Sequence, residues 1–328
     1  MEKRPLGNTG LSVEVIGFGG AALGERPADQ PATHAADLVQ AARDAGISYF
    51  DTAPWYGIGR SERVLGDLLR GTDYVLSTKV GRLLKPGEPH HPQGDSRALM
   101  PFHVVYDYSY DGIMRSFEDS LQRLGLDRID VLFVHDIGEM TLGDTNAKYF
   151  ADLAKSGYRA LEELRRGGQV KAIGLGVNEN QACLDALGVG QWDVFLLAGR
   201  YTLLEQTPLD ALFPACMAAG TSIICGGPFN SGVLVGRDCW NYAKAPDAVL
   251  AKVRKLADVA DDYGLDLAAA ALQFPLAHSL VSSVLPGPSC KAELEQNFAW
   301  LTTPIPAEFW AELKARALLD KRAPVPNG

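Results

Sequence analysis

Eight short apolar runs recur along this chain, at 15–18, 47–50, 74–78, 129–134, 170–175, 194–197, 222–224 and 281–285, with helical patterns between them. No other feature constrains the fold as tightly. Several runs are apolar throughout rather than alternating, which marks strands buried on both faces. Helical spacing fills 33–45, 61–69, 110–124, 156–166, 180–187, 208–219, 247–263 and 289–301. In 110–124, Ile113, Phe117, Leu121 and Leu124 share one face and Gly125 stops the helix. Thr33 and Ser61 stand where N-caps are expected. Eight strand–helix units predict an α/β fold, a closed parallel (β/α)8 TIM barrel.

The surplus sequence has places of its own. Residues 4–15 read as an N-terminal hairpin around Gly7-Asn8-Thr9-Gly10, and 266–277 and 306–317 as extra helices. The long connections 81–109, 136–155 and 226–246 all follow strand C-terminal ends, where barrel enzymes keep their chemistry. No internal repeat or linker interrupts the pattern, so residues 1–328 are expected to form a single barrel domain.

Charge then excludes partners. The formal net charge is −9, which argues against holding a nucleic-acid backbone or a membrane surface by a basic field. The five cysteines are scattered with no C-x-x-C pair, as expected of idle thiols in a reducing compartment. The start, Met1-Glu2-Lys3-Arg4-Pro5, has no signal-peptide core, and no run approaches the ~20 apolar residues of a membrane span. A soluble, cytoplasmic protein is expected.

Gly17-Phe18-Gly19-Gly20-Ala21-Ala22 fits the G-x-G-x-x-A dinucleotide fingerprint. That motif needs a helix opening on its glycines and an acid at the end of the next strand. Pro27 and Pro31 interrupt the following stretch, and Asp37 falls mid-helix. The barrel reading is the better one.

In a barrel, inward residues at the carboxyl ends of strands converge on one mouth. The second run leads into Asp51 and Tyr56, the third into Lys79, the fourth into His135. Each has a bland reading alone: a turn cap, a packing aromatic, a satisfied histidine. A lysine ending an apolar strand is harder to dismiss, because burying an unpaired ammonium is costly. Asp51 can pair it. Lys79 would then lower the Tyr56 pKa from about 10, giving a proton donor and acceptor usable nearer neutral pH. His135 can hydrogen-bond the same substrate oxygen. Such a site protonates a carbonyl or deprotonates a carbinol while hydride moves, and the hydride must come from a cofactor.

The motifs Pro5-Leu6-Gly7-Asn8-Thr9-Gly10-Leu11-Ser12-Val13, Phe50-Asp51-Thr52-Ala53, Tyr56-Gly57, Ser61-Glu62, Ser77-Thr78-Lys79, Ser120-Leu121-Gln122-Arg123-Leu124-Gly125 with Ile129-Asp130, His135 and Leu285-Pro286-Gly287 span the chain. In them the sequence resembles the aldo-keto reductase superfamily. The resemblance implies the (β/α)8 barrel, NAD(P) extended across its mouth, and a catalytic tetrad of Asp51, Tyr56, Lys79 and His135 with Tyr56 as general acid/base. Val80-Gly81-Arg82-Leu83-Leu84, Asp107-Tyr108-Ser109-Tyr110-Asp111-Gly112 and Phe229-Asn230-Ser231-Gly232 resemble a narrower branch. That branch holds the D-threo-aldose (L-fucose) 1-, L-galactose and pyridoxal 4-dehydrogenases. It implies oxidation of a cyclic hemiacetal, in L-fucose, L-galactose, D-arabinose or pyridoxal, to a lactone. An aldose is the first expectation and pyridoxal the alternative. Trp55, Tyr56, His135 and Trp240 are expected at the substrate, with Phe102, Tyr106 and Tyr242 as further aromatic wall and Arg82 and Lys85 shaping the mouth.

The resemblance also places the coenzyme on Asn178, Gly226, Pro228, Asn230, Ser231, Gly232, Pro286, Gly287, Ser289, Glu293, Gln296 and Asn297. Gly226 stands where many members stack an aromatic residue on the nicotinamide, so another group must fill that face. Asn178 is expected to grip the carboxamide, while Ala198 replaces the usual glutamine. Counting back from Gln296-Asn297, Glu293 and Gly287 occupy the arginine and lysine positions that clamp a 2′-phosphate. NAD is therefore expected over NADP, the opposing reading being that Lys291 takes the phosphate. Other readings are a general aldehyde or ketone reductase, and a binding role like the potassium-channel β subunits. A metal site on His90, His91 and His103 is not expected; these and His34 are expected to be solvated loop residues. The sequence leaves the oligomeric state open.

Overall fold

The computed structural model describes residues 1–25, 34–88 and 100–326. Eight parallel strands, Phe18–Gly19, Tyr49–Asp51, Val75–Val80, Val131–His135, Ala172–Val177, Val194–Ala198, Ser222–Gly226 and Val281–Leu285, form one sheet in chain order. The ring closes between the first and eighth: the Gly17 and Gly19 amides donate to Val284 and Pro286 carbonyls at 2.9 and 3.0 Å, and the Val284 amide to Val15 at 2.9 Å. Each expected run contains or overlaps its strand, several extending a residue or more toward the mouth. This is the (β/α)8 barrel.

The period-2 alternation of a strand decides which residues reach the mouth. Tyr49, Val131, Phe133, Ala172, Val194, Leu196, Ile224 and Leu285 pack inside the barrel, while Phe50, Leu76, Leu132 and Val134 face the helices. Two residues beyond an inward Tyr49 comes Asp51, and two beyond Phe133 comes His135. Lys79 follows Ser77 in the same phase. Leu6, Leu11 and Val13 of the hairpin Lys3–Pro5/Ser12–Glu14 plug the opposite end.

Helices form at the expected spans, but 208–219 starts only at Leu212, after a 3-10 turn Thr207–Leu209, and 156–166 becomes regular only at Tyr158. Tyr110–Leu124 has its expected bounds, with Ser109 accepting from the Gly112 amide and Gly125 ending it at φ 60. Asn180–Leu187 also matches, and the extra helices appear at Leu267–Gln273 and Ala307–Ala315. The Ser61 cap is corrected: helix Arg60–Leu69 starts one residue earlier on Gly59, at φ 87. The Ser61 hydroxyl bonds Thr52 at 2.8 Å and the Gly20 carbonyl at 2.7 Å instead, tying the helix to the first two strands. Thr33, Pro27, Pro31, His90 and His91 lie outside the described residues.

Where they are described, the long connections carry elements of their own. The first contains the antiparallel pair Arg82–Pro86/Phe102–Tyr106, the second helices Glu139–Leu142 and Asn146–Asp152 with an irregular turn, and the third a 3-10 segment Asn230–Val235 and the hairpin Cys239–Trp240/Ala243–Lys244. Among the described residues no helix is long and apolar enough to cross a membrane.

Candidate active site

The structure brings Asp51, Tyr56, Lys79 and His135 together at the mouth. Lys79 is only 2 % exposed. Its Nζ donates to Asp51 Oδ2 at 2.6 Å, the Thr52 carbonyl at 2.9 Å and the Tyr56 hydroxyl at 3.0 Å. Those three acceptors match the three protons of an ammonium. Burial alone would strip the proton, but Asp51 and Tyr56 hold the Lys79 pKa above its usual range. Asp51 is fixed from its other side by the Ser77 hydroxyl at 2.6 Å, itself 3.1 Å from the Tyr49 hydroxyl.

Tyr56 differs from the sequence expectation. Burial, opposed by Lys79 and reinforced by Asp51, pushes its pKa up to about 12. Withdrawal from water outweighs the ammonium, so the hydroxyl keeps its proton at neutral pH and stands ready as a donor. The ring lies edge-on to His135, centroids 6.0 Å apart at 87°. Burial, with Arg82 and Lys79 nearby, holds the His135 pKa well below 6.5. His135 is thus a neutral imidazole, and its buried Nδ1 has no hydrogen-bond partner.

A second charged pair adjoins the tetrad. Arg82 donates to Asp136 Oδ2 at 2.6 Å, and that oxygen is 3.5 Å from His135 Nε2. The Arg82 guanidinium packs over Trp55 and Tyr106 at 4.8 and 5.6 Å. Asp136 holds φ 44, uncommon for a residue with a side chain. Tyr108 donates to the His135 carbonyl at 2.7 Å. Sequence reasoning placed Arg82 at the mouth, quoted Tyr108 only within a motif and gave Asp136 no role. The signal for Asp136 was the His-Asp pair itself, two polar residues ending an apolar strand.

Other motif residues prove structural. Thr78 donates to Glu62 Oε1 at 2.7 Å and Arg123 to Glu62 Oε2 at 2.6 Å, binding strand to helix behind the site. Asp130 accepts the Leu76 amide at 3.0 Å.

The expected coenzyme residues line the strand ends from the fifth to the eighth. Asn178 Nδ2 donates to the Ala198 carbonyl at 3.4 Å and the Tyr242 hydroxyl at 3.2 Å. Gly226 ends the seventh strand beside Ala198. Pro228 is buried in the loop that follows. Asn230 is also buried; its Nδ2 donates to the Gly199 carbonyl and to Glu205 at 3.0 and 3.1 Å, and its Oδ1 has no partner. Ser231 Oγ accepts the Tyr242 amide at 3.1 Å, and Gly232 has φ 100. Past the eighth strand, Pro286 is buried and Gly287 exposed. On helix Lys291–Thr302, Gln296 is exposed and Asn297 buried. Glu293 Oε2 accepts the Ser289 amide and hydroxyl at 2.7 and 2.9 Å, and Glu293 Oε1 pairs with Arg237 at 2.9 Å. Arg237 was not foreseen. It puts a cation beside the carboxylate expected to exclude a phosphate. Trp240, expected at the substrate, donates to Glu205 at 2.8 Å.

This donor set, with an amide at the fifth strand, glycines on the seventh loop and a helix N-terminus after the eighth strand, fits a dinucleotide. Among the described residues no cluster of metal-ligating side chains occurs, and His103 sits in the Phe102–Tyr106 strand.

The model of the aldo/keto reductase family matches residues 15–317. The chain belongs to the aldo/keto reductase family. Members use nicotinamide cofactors, and this chain is an oxidoreductase. It is 44% identical to a pyridoxal 4-dehydrogenase of Microbacterium luteolum over 336 residues, covering 97% of this chain and 98% of that one. A D-threo-aldose 1-dehydrogenase of Pseudomonas sp is 38% identical, over 94% of this chain and 96% of that one. Among solved structures, the holo form of aldo-keto reductase AKR11C1 from Bacillus halodurans superposes with TM-score 0.75 at 26% identity, covering 100% of this chain and 98% of that one.

Proposed function

We propose that this chain, as one barrel acting in the cytoplasm, oxidises the hemiacetal carbon of a small cyclic substrate to a lactone, with NAD as hydride acceptor. The observation that carries the chemistry is the Tyr56 hydroxyl held 3.0 Å from a buried Lys79 ammonium beside a neutral His135. When bound, the coenzyme supplies the hydride acceptor that no side chain can provide. Asp51 keeps Lys79 charged and aimed. Lys79 stabilises the Tyr56 phenolate, which takes the hydroxyl proton of the hemiacetal as hydride leaves the same carbon and the C=O bond forms. In the reverse direction protonated Tyr56 donates to the carbonyl. His135, uncharged, hydrogen-bonds the substrate oxygen without competing for its proton.

Pyridoxal is now the first substrate to test and an aldose the second. The 44% identical relative is a pyridoxal 4-dehydrogenase, whereas the aldose enzyme stands at 38%. The Arg82–Asp136 pair, with Trp55 packed against its guanidinium, sets charge and an aromatic face beside the tetrad, which suits a flat ring bearing polar substituents. Preference for NAD rests on Glu293, which would repel a 2′-phosphate, although Arg237 beside it offsets part of that charge. The test is a panel of pyridoxal, L-fucose, L-galactose and D-arabinose with NAD, following absorbance of the reduced coenzyme. The reading fails if none is oxidised while open-chain aldehydes are readily reduced.

A further inference from the structure

Tyr242 is 58% exposed, yet it is held as if its position mattered. It and Asn241 are the central residues of the turn joining Cys239–Trp240 to Ala243–Lys244, at φ 62 and 48. Positive φ at both positions is the I′ turn, usually Asn-Gly. A tyrosine in the second place costs about 1–2 kcal/mol of backbone strain. Strain of this kind concentrates at ligand clamps and active sites. Its hydroxyl accepts from Asn178 Nδ2 at 3.2 Å, its amide donates to Ser231 Oγ at 3.1 Å, and it lies close enough to Lys79, Asp136 and Tyr56 to feel their charges. The turn therefore hangs an aromatic ring at the mouth beside the tetrad.

The wall nearby is low. A β-carbon built on Gly226 would lie 3.0 Å from Leu196 and 3.3 Å from Ala198 Cβ, so this position faces the barrel interior. Gly226 and Ala198 are neighbours in the sheet, so the floor here carries nothing larger than a methyl group, with the Leu196 side chain packed against it. Asn178 stands at its edge, bonded to the Ala198 carbonyl at 3.4 Å. A smooth floor, an amide at the rim and an aromatic ring bonded to that amide suit a flat heteroaromatic ring carrying a primary carboxamide.

We propose that Tyr242 supplies the aromatic wall of the nicotinamide slot, taking the place of the side chain that Gly226 lacks. Its hydroxyl accepts from the Asn178 amide at the rim, while the ring supplies the contact that counts for affinity. The inference rests on the coenzyme class alone and stands or falls apart from the choice of substrate.

The test compares binding of NADH with binding of ADP-ribose, which lacks the nicotinamide, by calorimetric titration of wild type, Tyr242→Phe and Tyr242→Ala. An aromatic contact of ordinary strength corresponds to about three- to tenfold in affinity. Tyr242→Ala is expected to weaken NADH by that factor and leave ADP-ribose unchanged, while Tyr242→Phe keeps NADH affinity within about twofold. Thermal melts check that both variants fold, as an exposed turn position should allow. Unchanged NADH binding in Tyr242→Ala, or equal losses for NADH and ADP-ribose, overturns the proposal.

Discussion

The Lys79 ammonium touches the Tyr56 hydroxyl at 3.0 Å and leaves that hydroxyl protonated, because burial outweighs the cation. Oxidation needs the phenolate, so kcat/KM for oxidation should climb as pH rises from about 7 to about 10, whereas reduction should not. Tyr56→Phe should lower turnover by about 10²- to 10⁴-fold and leave NADH affinity near wild type. Steady-state rates beside a binding titration check both parts. Substantial turnover in the variant would remove Tyr56 from the acid/base role.

Asp51→Asn leaves Lys79 charged and unpaired in a site where it is 2 % exposed. A stability loss of about 3–5 kcal/mol is expected in urea denaturation. Adding Lys79→Met should recover part of that loss, because no buried charge is then left alone. Activity should stay lost in both. A single variant as stable as wild type would mean that Asp51 does not hold the ammonium.

His135 adds a pH dependence with a definite sign. The folded chain keeps the imidazole neutral well below 6.5, while the unfolded chain protonates it near that value. Below about pH 6.5 the unfolded state therefore binds the extra proton, and folding stability falls by up to about 1.4 kcal/mol per pH unit. Above that pH the contribution is fully present. Comparing wild type with His135→Gln in urea melts from about pH 5 to about pH 8 isolates it. Equal pH slopes in the two proteins would contradict a buried neutral His135.

Coenzyme choice turns on two residues. With Glu293 in place, kcat/KM should favour NAD over NADP by about tenfold or more, some 1.4 kcal/mol. Glu293→Ala frees Arg237 and should narrow the preference, and Arg237→Ala should widen it. An NADP preference in wild type, or a preference unmoved by both changes, would remove this pair from coenzyme selection.

Much of this was legible in the residues because two simple periodicities govern it. Apolar runs of strand length gave the barrel, and period-2 phase carried Asp51, Lys79 and His135 to the same inner face. Helix Tyr110–Leu124 could be bounded from its sequence because Ser109 and Gly125 mark both ends chemically. The Ser61 assignment went astray because a serine beside a helix start has other partners, here Thr52 and Gly20, that only tertiary packing supplies. Tyr56 was misjudged in pKa because a sequence shows its charged neighbours but not the loss of water around it. Arg237, and the bond that ties Tyr242 to Asn178 where only an aromatic wall was expected, were hidden for a different reason. The partners, Glu293 and Asn178, lie far away in the chain, and no local pattern encodes such pairings.

The central claim is that Tyr56 draws the proton from a hemiacetal as NAD takes the hydride. The most direct measurement is to incubate the protein with pyridoxal and NAD and identify the product by mass spectrometry while counting reduced coenzyme. The expected result is the lactone, formed one for one with NADH, and both products formed at least about 10²-fold more slowly with Tyr56→Phe. Reduced coenzyme without lactone, or no oxidation of pyridoxal or of any of the three aldoses, would contradict the account.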